Sequence, residues 1–369
     1  MNSSITIKHS RKKYARKHNL QHAIKHYHAG NYRSSREICE GLYLKDASNV
    51  DSLILLGAVH FQLKNLSESM FYSQQCIRIN PTSCEAHSIM GNCLKELGDI
   101  ESAVGFFVKA VRIQPRFADA YNNLAITQFL NGQPSEAIKS LQVAISLDPS
   151  HSDALTNLGN IYKAIGRPDD AKKQYLAAVR VNPKCAIAWS NLAGVFHDWG
   201  DTKRAIASYQ QSIKIAPSFA DAYSNLGNSL AQHGKSEAEP KATADALISY
   251  KKALKLRNNF ALAHGNLALG FLEKGEVNHA IRELHTSLFL DPKYTDALTN
   301  LGGVYIKLGN LNDSTKVCLR AIRLKPDHPY AHINIGVALR NKVRIFYLPS
   351  YYQRDEYYAQ STSYQCCQV

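Results

Sequence analysis

The chain has 369 residues, a hydrophobic content of 45% and a formal net charge of +14. No apolar run approaches the eighteen or so residues of a membrane span, the stretch Leu53–Val59 being typical of the longest. Its eight cysteines (Cys39, Cys76, Cys84, Cys93, Cys185, Cys318, Cys366 and Cys367) lack paired spacing or a secretory leader, which argues against a disulfide framework and predicts reduced thiols in a cytoplasmic or nuclear protein.

The chain begins with a basic tail, residues 1–15, running into a basic helix. Lys8, Arg11, Lys12, Lys13, Arg16, Lys17 and Lys25 place +7 in the first 28 residues with no acid among them. Such a segment reads as a nuclear import signal around Arg11–Lys17, an electrostatic docking arm, or a solvated tail. A mitochondrial transit peptide would also be basic, but histidines interrupt the apolar face. His18, His22 and His26 share one helical face. Lysines around them repel a cation and no carboxylate or thiolate completes a set, so no metal is expected.

From residue 16 one pattern returns. Pro81, Pro115, Pro149, Pro183 and Pro217 are each 34 apart, Asn258 takes the next slot after a seven-residue insertion, and Pro292 and Pro326 follow at 34 again. One repeat reads Ala118, Tyr121, Leu124, Ala125, Gly132, Ala137, Leu141, Ala144, Pro149. Apolar residues at positions 4, 7, 8 and 11 keep one stripe on one face of a first helix. A glycine such as Gly98, Gly132 or Gly166 then ends it, and a second helix stops before the proline. This is the tetratricopeptide pattern of two antiparallel helices per repeat. The predicted fold is all-α, a tetratricopeptide-repeat superhelix (an α-solenoid) over 16–341, and this array overrides the two or three globular domains that length alone would suggest. Its repeats span 16–49, 50–83, 84–117, 118–151, 152–185, 186–219, 220–260, 261–294 and 295–328, with one further helix from 329. Lys235–Asp245, with Glu239-Pro240, is expected to form an inserted mobile loop.

Two columns stand out on the first helices. Position 6 is asparagine in seven consecutive repeats: Asn123, Asn157, Asn191, Asn225, Asn266, Asn300 and Asn334. At about 100° per residue, position 6 lies roughly 140–200° from the apolar stripe, pointing toward an inner groove. A primary amide both donates and accepts, matching the N–H and C=O of an extended peptide. Local hydrogen bonding inherited from a shared repeat ancestor is the competing reading. At position 2, one turn earlier, stand Asp119, Asp153, Asp221 and Asp296, with Glu85 in an earlier repeat; Ile187, Leu262 and Tyr330 interrupt the series. These acids fit selection of hydroxyl or basic guest side chains, or equally the preference of acids for a first helical turn.

No catalytic motif accompanies them. Gly234-Lys235-Ser236 mimics the end of a phosphate loop, but the earlier glycine it requires is Ser229. There is no His-Glu-x-x-His pair, Gly-x-Ser-x-Gly elbow or dinucleotide glycine cluster. After Arg340 the pattern gives way to Val343-Arg344-Ile345-Phe346-Tyr347-Leu348-Pro349 and a tyrosine-rich tail, 342–369. A frame-shifted or intron-derived end, or a short splice form, accounts for this better than a cap. The last helix would expose Ile333, Ile335, Val337 and Leu339, so fraying, aggregation or a homodimer is expected at that end.

The runs Ala188-Trp189-Ser190-Asn191-Leu192-Ala193-Gly194-Val195-Phe196, Asp221-Ala222-Tyr223-Ser224-Asn225-Leu226-Gly227-Asn228 and Ala263-His264-Gly265-Asn266-Leu267-Ala268 resemble the repeat region of O-GlcNAc transferases, with a plant flavour. The resemblance covers roughly 20–341. It implies a superhelix preceding a two-lobed glycosyltransferase domain, with the seven asparagines holding client backbones and the four aspartates biasing client choice. The sugar-nucleotide domain is not found in this sequence, so the chain is expected to bind no cofactor, UDP-GlcNAc being the donor only if a catalytic domain follows. On this reading the chain lacks transferase activity yet competes with an intact enzyme for clients. Expected partners are client proteins bound as extended segments; neither nucleic acid nor membrane is expected, because the inner face is amide and acid. The alternatives are an adaptor assembling a multiprotein complex and the front part of a protein O-fucosyltransferase.

Overall fold

Several repeats end in a turn held by their own side chains. Before four of the prolines stands an Asn or Asp whose carbonyl or carboxylate oxygen accepts the N–H two residues on, as Asn80 does from Thr82 (3.2 Å) and Asp148 from Ser150 (2.9 Å). Ser150 also donates its hydroxyl to Asp148, and these bonds hold the carboxyl below its ordinary range. Such a turn stops one helix and aims the chain at the next. Asn49, Ser83 and His151 then cap the following first helix by accepting from the N–H three residues on.

The computed structural model describes residues 18–343. The basic tail 1–15, the Arg11–Lys17 segment and most of the tail 342–369, with Cys366 and Cys367, lie outside the described residues. The described residues form nineteen helices and no strand. In chain order they are α1 (18–28), α2 (Tyr32–Tyr43), α3 (Val50–Gln62), α4 (Leu66–Ile79), α5 (Cys84–Glu96), α6 (Ile100–Ile113), α7 (Ala118–Leu130), α8 (Pro134–Leu147), α9 (Ser152–Ala164) and α10 (Pro168–Val181). There follow α11 (Ala186–Asp198), α12 (Thr202–Ile215), α13 (Ala220–Ser236), α14 (Pro240–Leu256), α15 (Ala261–Glu273), α16 (Val277–Leu290), α17 (Thr295–Lys307), α18 (Leu311–Leu324) and α19 (329–343). Odd-numbered helices are the first of each repeat and even-numbered ones the second, in the register that the prolines mark.

The chain divides into two compact bodies, Met1–Ala188 and Trp189–Val369. Within each, a first helix packs on its own second helix, which packs on the next first helix. Successive first helices also touch, α5 with α7 and α15 with α17 for example, whereas among the described residues second helices do not touch one another. First helices therefore line the closer side of each stack and second helices stand apart on the other.

The core is shared between neighbours. Phe107 and Ala110 of α6 pack with Ala120 and Leu124 of the next repeat. The small residue at position 8 makes this possible: a Cβ on Gly159 would sit 2.5 Å from the Tyr175 ring. Turns after the first helices need a left-handed residue, supplied by glycine at Gly98 (φ 85°) and five later repeats but by Lys64 (φ 63°) and Ala238 (φ 53°) in two.

The insertion is not a loop. Helix α13 has 17 residues where its counterparts α9 and α15 have 13, and α14 has 17 where α10 and α16 have 14. Four and three residues, the seven of the insertion, each add about one turn. Gly234 lies buried inside α13, and the left-handed turn moves to Ala238. On α19, Ile333 and Leu339 are exposed and Ile335 and Val337 half-buried.

Candidate functional site

The asparagine column stands one residue per first helix from α7 to α19, and three of its amides are engaged with the helix before. The Asn157 side-chain N–H donates to Oδ1 of Asn122 at 2.9 Å, that of Asn266 to Oγ of Ser224 at 3.4 Å, and that of Asn334 to the Thr299 carbonyl at 3.0 Å. Every acceptor is position 5 of the preceding first helix. Each of these asparagines therefore clips its helix to the one before it, within one body. Asn266 is only 9% exposed, whereas Asn123, Asn157, Asn191, Asn225, Asn300 and Asn334 are half-buried.

Position 5 was the signal missed in the sequence. Ser88, Asn122, Thr156, Ser190, Ser224 and Thr299 form a buried polar column beside the asparagines. A small polar residue standing immediately before five of the seven asparagines could have revealed it, because a buried polar group needs a partner. Thr156 and Thr299 turn their hydroxyls onto the carbonyl four residues back, at 2.8 and 2.9 Å.

The aspartates stand at the amino ends of the same helices, Asp119, Asp153 and Asp296 exposed and Asp221 half-buried, and three have partners. Oδ1 of Asp119 lies 3.1 Å from His151 Nε2, a close contact rather than an aligned hydrogen bond. Asp296 contacts His328 Nε2 at 3.0 Å, and Asp221 meets the Arg257 guanidinium at 2.7 Å. That guanidinium also lies 3.6 Å from the Phe260 ring centroid. Asp153 has no ion pair among the described residues. In the amino-terminal body Asp119, Asp148 and Asp153 line one polar hollow of about 310 Å³ with Ser150, His151 and Asn182. The residues interrupting the acidic series face solvent as well: Ile187 is 56%, Leu262 39% and Tyr330 67% exposed.

Nothing among the described residues resembles a reaction centre. No group of three His, Cys, Asp or Glu there could hold a metal ion, and His22 and His26 meet edge to face at 4.6 Å. Burial pushes the Cys39 thiol up to about 12 and Cys84 to about 11, and raises Cys76, Cys93 and Cys318, leaving weak nucleophiles. No described helix is long and apolar enough to cross a membrane.

Comparison with known proteins agrees with this architecture. Tetratricopeptide-repeat family models match residues 50–83, 85–117, 106–139, 156–218, 198–259 and 295–328. The UDP-N-acetylglucosamine–peptide N-acetylglucosaminyltransferase of Caenorhabditis elegans is 38% identical over 81 residues, 22% of this chain and 7% of the relative. A probable transferase of the same name from Arabidopsis thaliana, SEC, is 35% identical over 82 residues, 22% of this chain and 8% of the relative. The matched stretches thus span less than a tenth of either relative. Among solved structures, the Cut9–Hcn1 hetero-tetramer of the APC/C aligns with a TM-score of 0.61 and 20% identity, over 74% of this chain and 52% of that one, a likeness of fold.

Proposed function

Because the chain belongs to the tetratricopeptide-repeat family, we propose that it is a protein-binding scaffold whose first-helix face holds extended client segments by their backbone, as the substrate-recognition region of an O-GlcNAc transferase would. The observation that carries this reading is the state of the amides. Asn157 and Asn334 each commit an N–H to the preceding helix, which fixes the amide plane, while no described residue donates to their Oδ1. A fixed amide loses little freedom when a peptide N–H and C=O approach it. Each such pairing contributes about 0.5–1.5 kcal/mol, so several in series are required. The aspartates one turn earlier would favour hydroxyl-bearing or basic client side chains. The similarity to the transferases supports the reading without extending it to catalysis by this chain.

The test separates clip from contact. The triple variant N123A/N225A/N300A removes asparagines that have no such clip, and N157A/N266A/N334A removes three that do. Binding of an unstructured Ser/Thr-rich peptide, read by fluorescence anisotropy, is expected to weaken about tenfold or more in both. Only the second triple should lower the melting temperature. Unchanged peptide affinity in the first triple would contradict the proposal and leave the asparagines as packing devices.

A further inference from the structure

The chain's positive charge is sorted by face. Positions 22, 26 and 29 of each repeat lie on the outward side of the second helix, at the i, i+4, i+7 spacing of one helical stripe. In the last three full repeats, all in the carboxy-terminal body, they are Ile248, Lys252 and Lys255 on α14, then Arg282, Thr286 and Phe289 on α16. On α18 they are Lys316, Arg320 and Arg323. All nine are exposed; six are cations and none is a carboxylate. Lys252, Lys255, Arg282, Arg320 and Arg323 have no carboxylate partner among the described residues, and only Lys316 is paired, with Asp313 at 3.1 Å. Attraction to the helix C-terminus would account for Lys255 and Arg323 in the last turns, but not for Lys252, Arg282 or Arg320 higher up.

Two large apolar side chains stand in the same grid, Phe289 at 84% and Ile248 at 64% exposure. Phe289 shares its row with Lys255 on one neighbouring second helix and Arg323 on the other.

We propose that this second-helix face of the carboxy-terminal body docks an acidic polypeptide segment that also carries apolar or aromatic side chains. Charge complementarity selects an anion, since six cations, five of them without a carboxylate partner, repel one another until a partner neutralises them. Phe289 and Ile248 select a protein, because a sugar–phosphate backbone offers no apolar complement. This surface is separate from the asparagine face and independent of what that face binds.

The test uses the full chain and defined probes: a random copolymer of glutamate and tyrosine, polyglutamate, oligouridylate, and phosphatidylserine-containing vesicles. At physiological salt the copolymer should bind most tightly, and binding should weaken as salt rises. K252E/R320E should reduce copolymer affinity about tenfold or more. The control K274E/K307E, with the same change in net charge on exposed residues outside the grid, should not. F289A should narrow the preference for copolymer over polyglutamate. N123A/N225A/N300A should leave copolymer binding unchanged, so failure here is distinguishable from failure of the client-binding proposal. Equal loss in the control pair, an unchanged copolymer preference in F289A, or tighter binding of RNA or vesicles would each overturn the inference.

Discussion

At the scale of single residues, the asparagine shows how a repeat reuses one group. Its position and its neighbours in sequence identify a polar face, but not the acceptor one repeat back, because that contact depends on how successive first helices lean together. The pairings of Asp119 with His151 and Asp296 with His328 were hidden for the same reason, each partner being 32 residues away. His60 is a different case. It is buried, stacked on Tyr72 at 5.3 Å, and desolvation lowers its pKa, with Glu40 and Glu68 opposing and Arg36 reinforcing. A lowered folded pKa means the contribution is complete above the ordinary histidine value of about 6.5 and is lost as pH falls through the folded value. Thermal melts of the wild type should therefore drop between mildly alkaline and mildly acidic pH by more than those of H60Q. Equal drops would show that His60 does not couple folding to protons.

At the scale of helices and turns, the register was readable because apolar spacing, glycine and proline agree in almost every repeat. The insertion was misread because Gly234 and Glu239-Pro240 look like punctuation. Near-whole turns can be absorbed without rotating either helix face, and that constraint is invisible to a local reading. The helical account predicts that limited trypsin digestion will not cut preferentially after Lys235 or Lys241. Early cleavage there would restore the loop. The turn after α3 offers a converse test, since Lys64 occupies a left-handed conformation that glycine takes in other repeats. K64G should stabilise the protein by about 1 kcal/mol, measured by chemical denaturation, and G98A should cost a similar amount. No gain in K64G would mean that the exposed ion pair of Lys64 with Glu96 (3.2 Å) and its contact with the Phe61 ring offset the strain.

At the scale of the whole molecule, the tandem pattern fixes what kind of work the chain performs. Each repeat buries its apolar stripe only against its neighbours, leaving two unlike faces: first helices carrying amide and acid, second helices carrying cations. The composition reports a net charge of +14, of which the first 28 residues hold +7, without saying that six cations gather on the outward side of α14, α16 and α18. The central claim is that clients lie along the first-helix face. Photocrosslinking tests it most directly, with a photoreactive amino acid replacing Asp153 or Asp296 in one pair of proteins and Lys252 in another, each incubated with the same Ser/Thr-rich peptide. The account predicts strong capture from Asp153 and Asp296 and little from Lys252; equal capture from Lys252, or none from the aspartate positions, would contradict it.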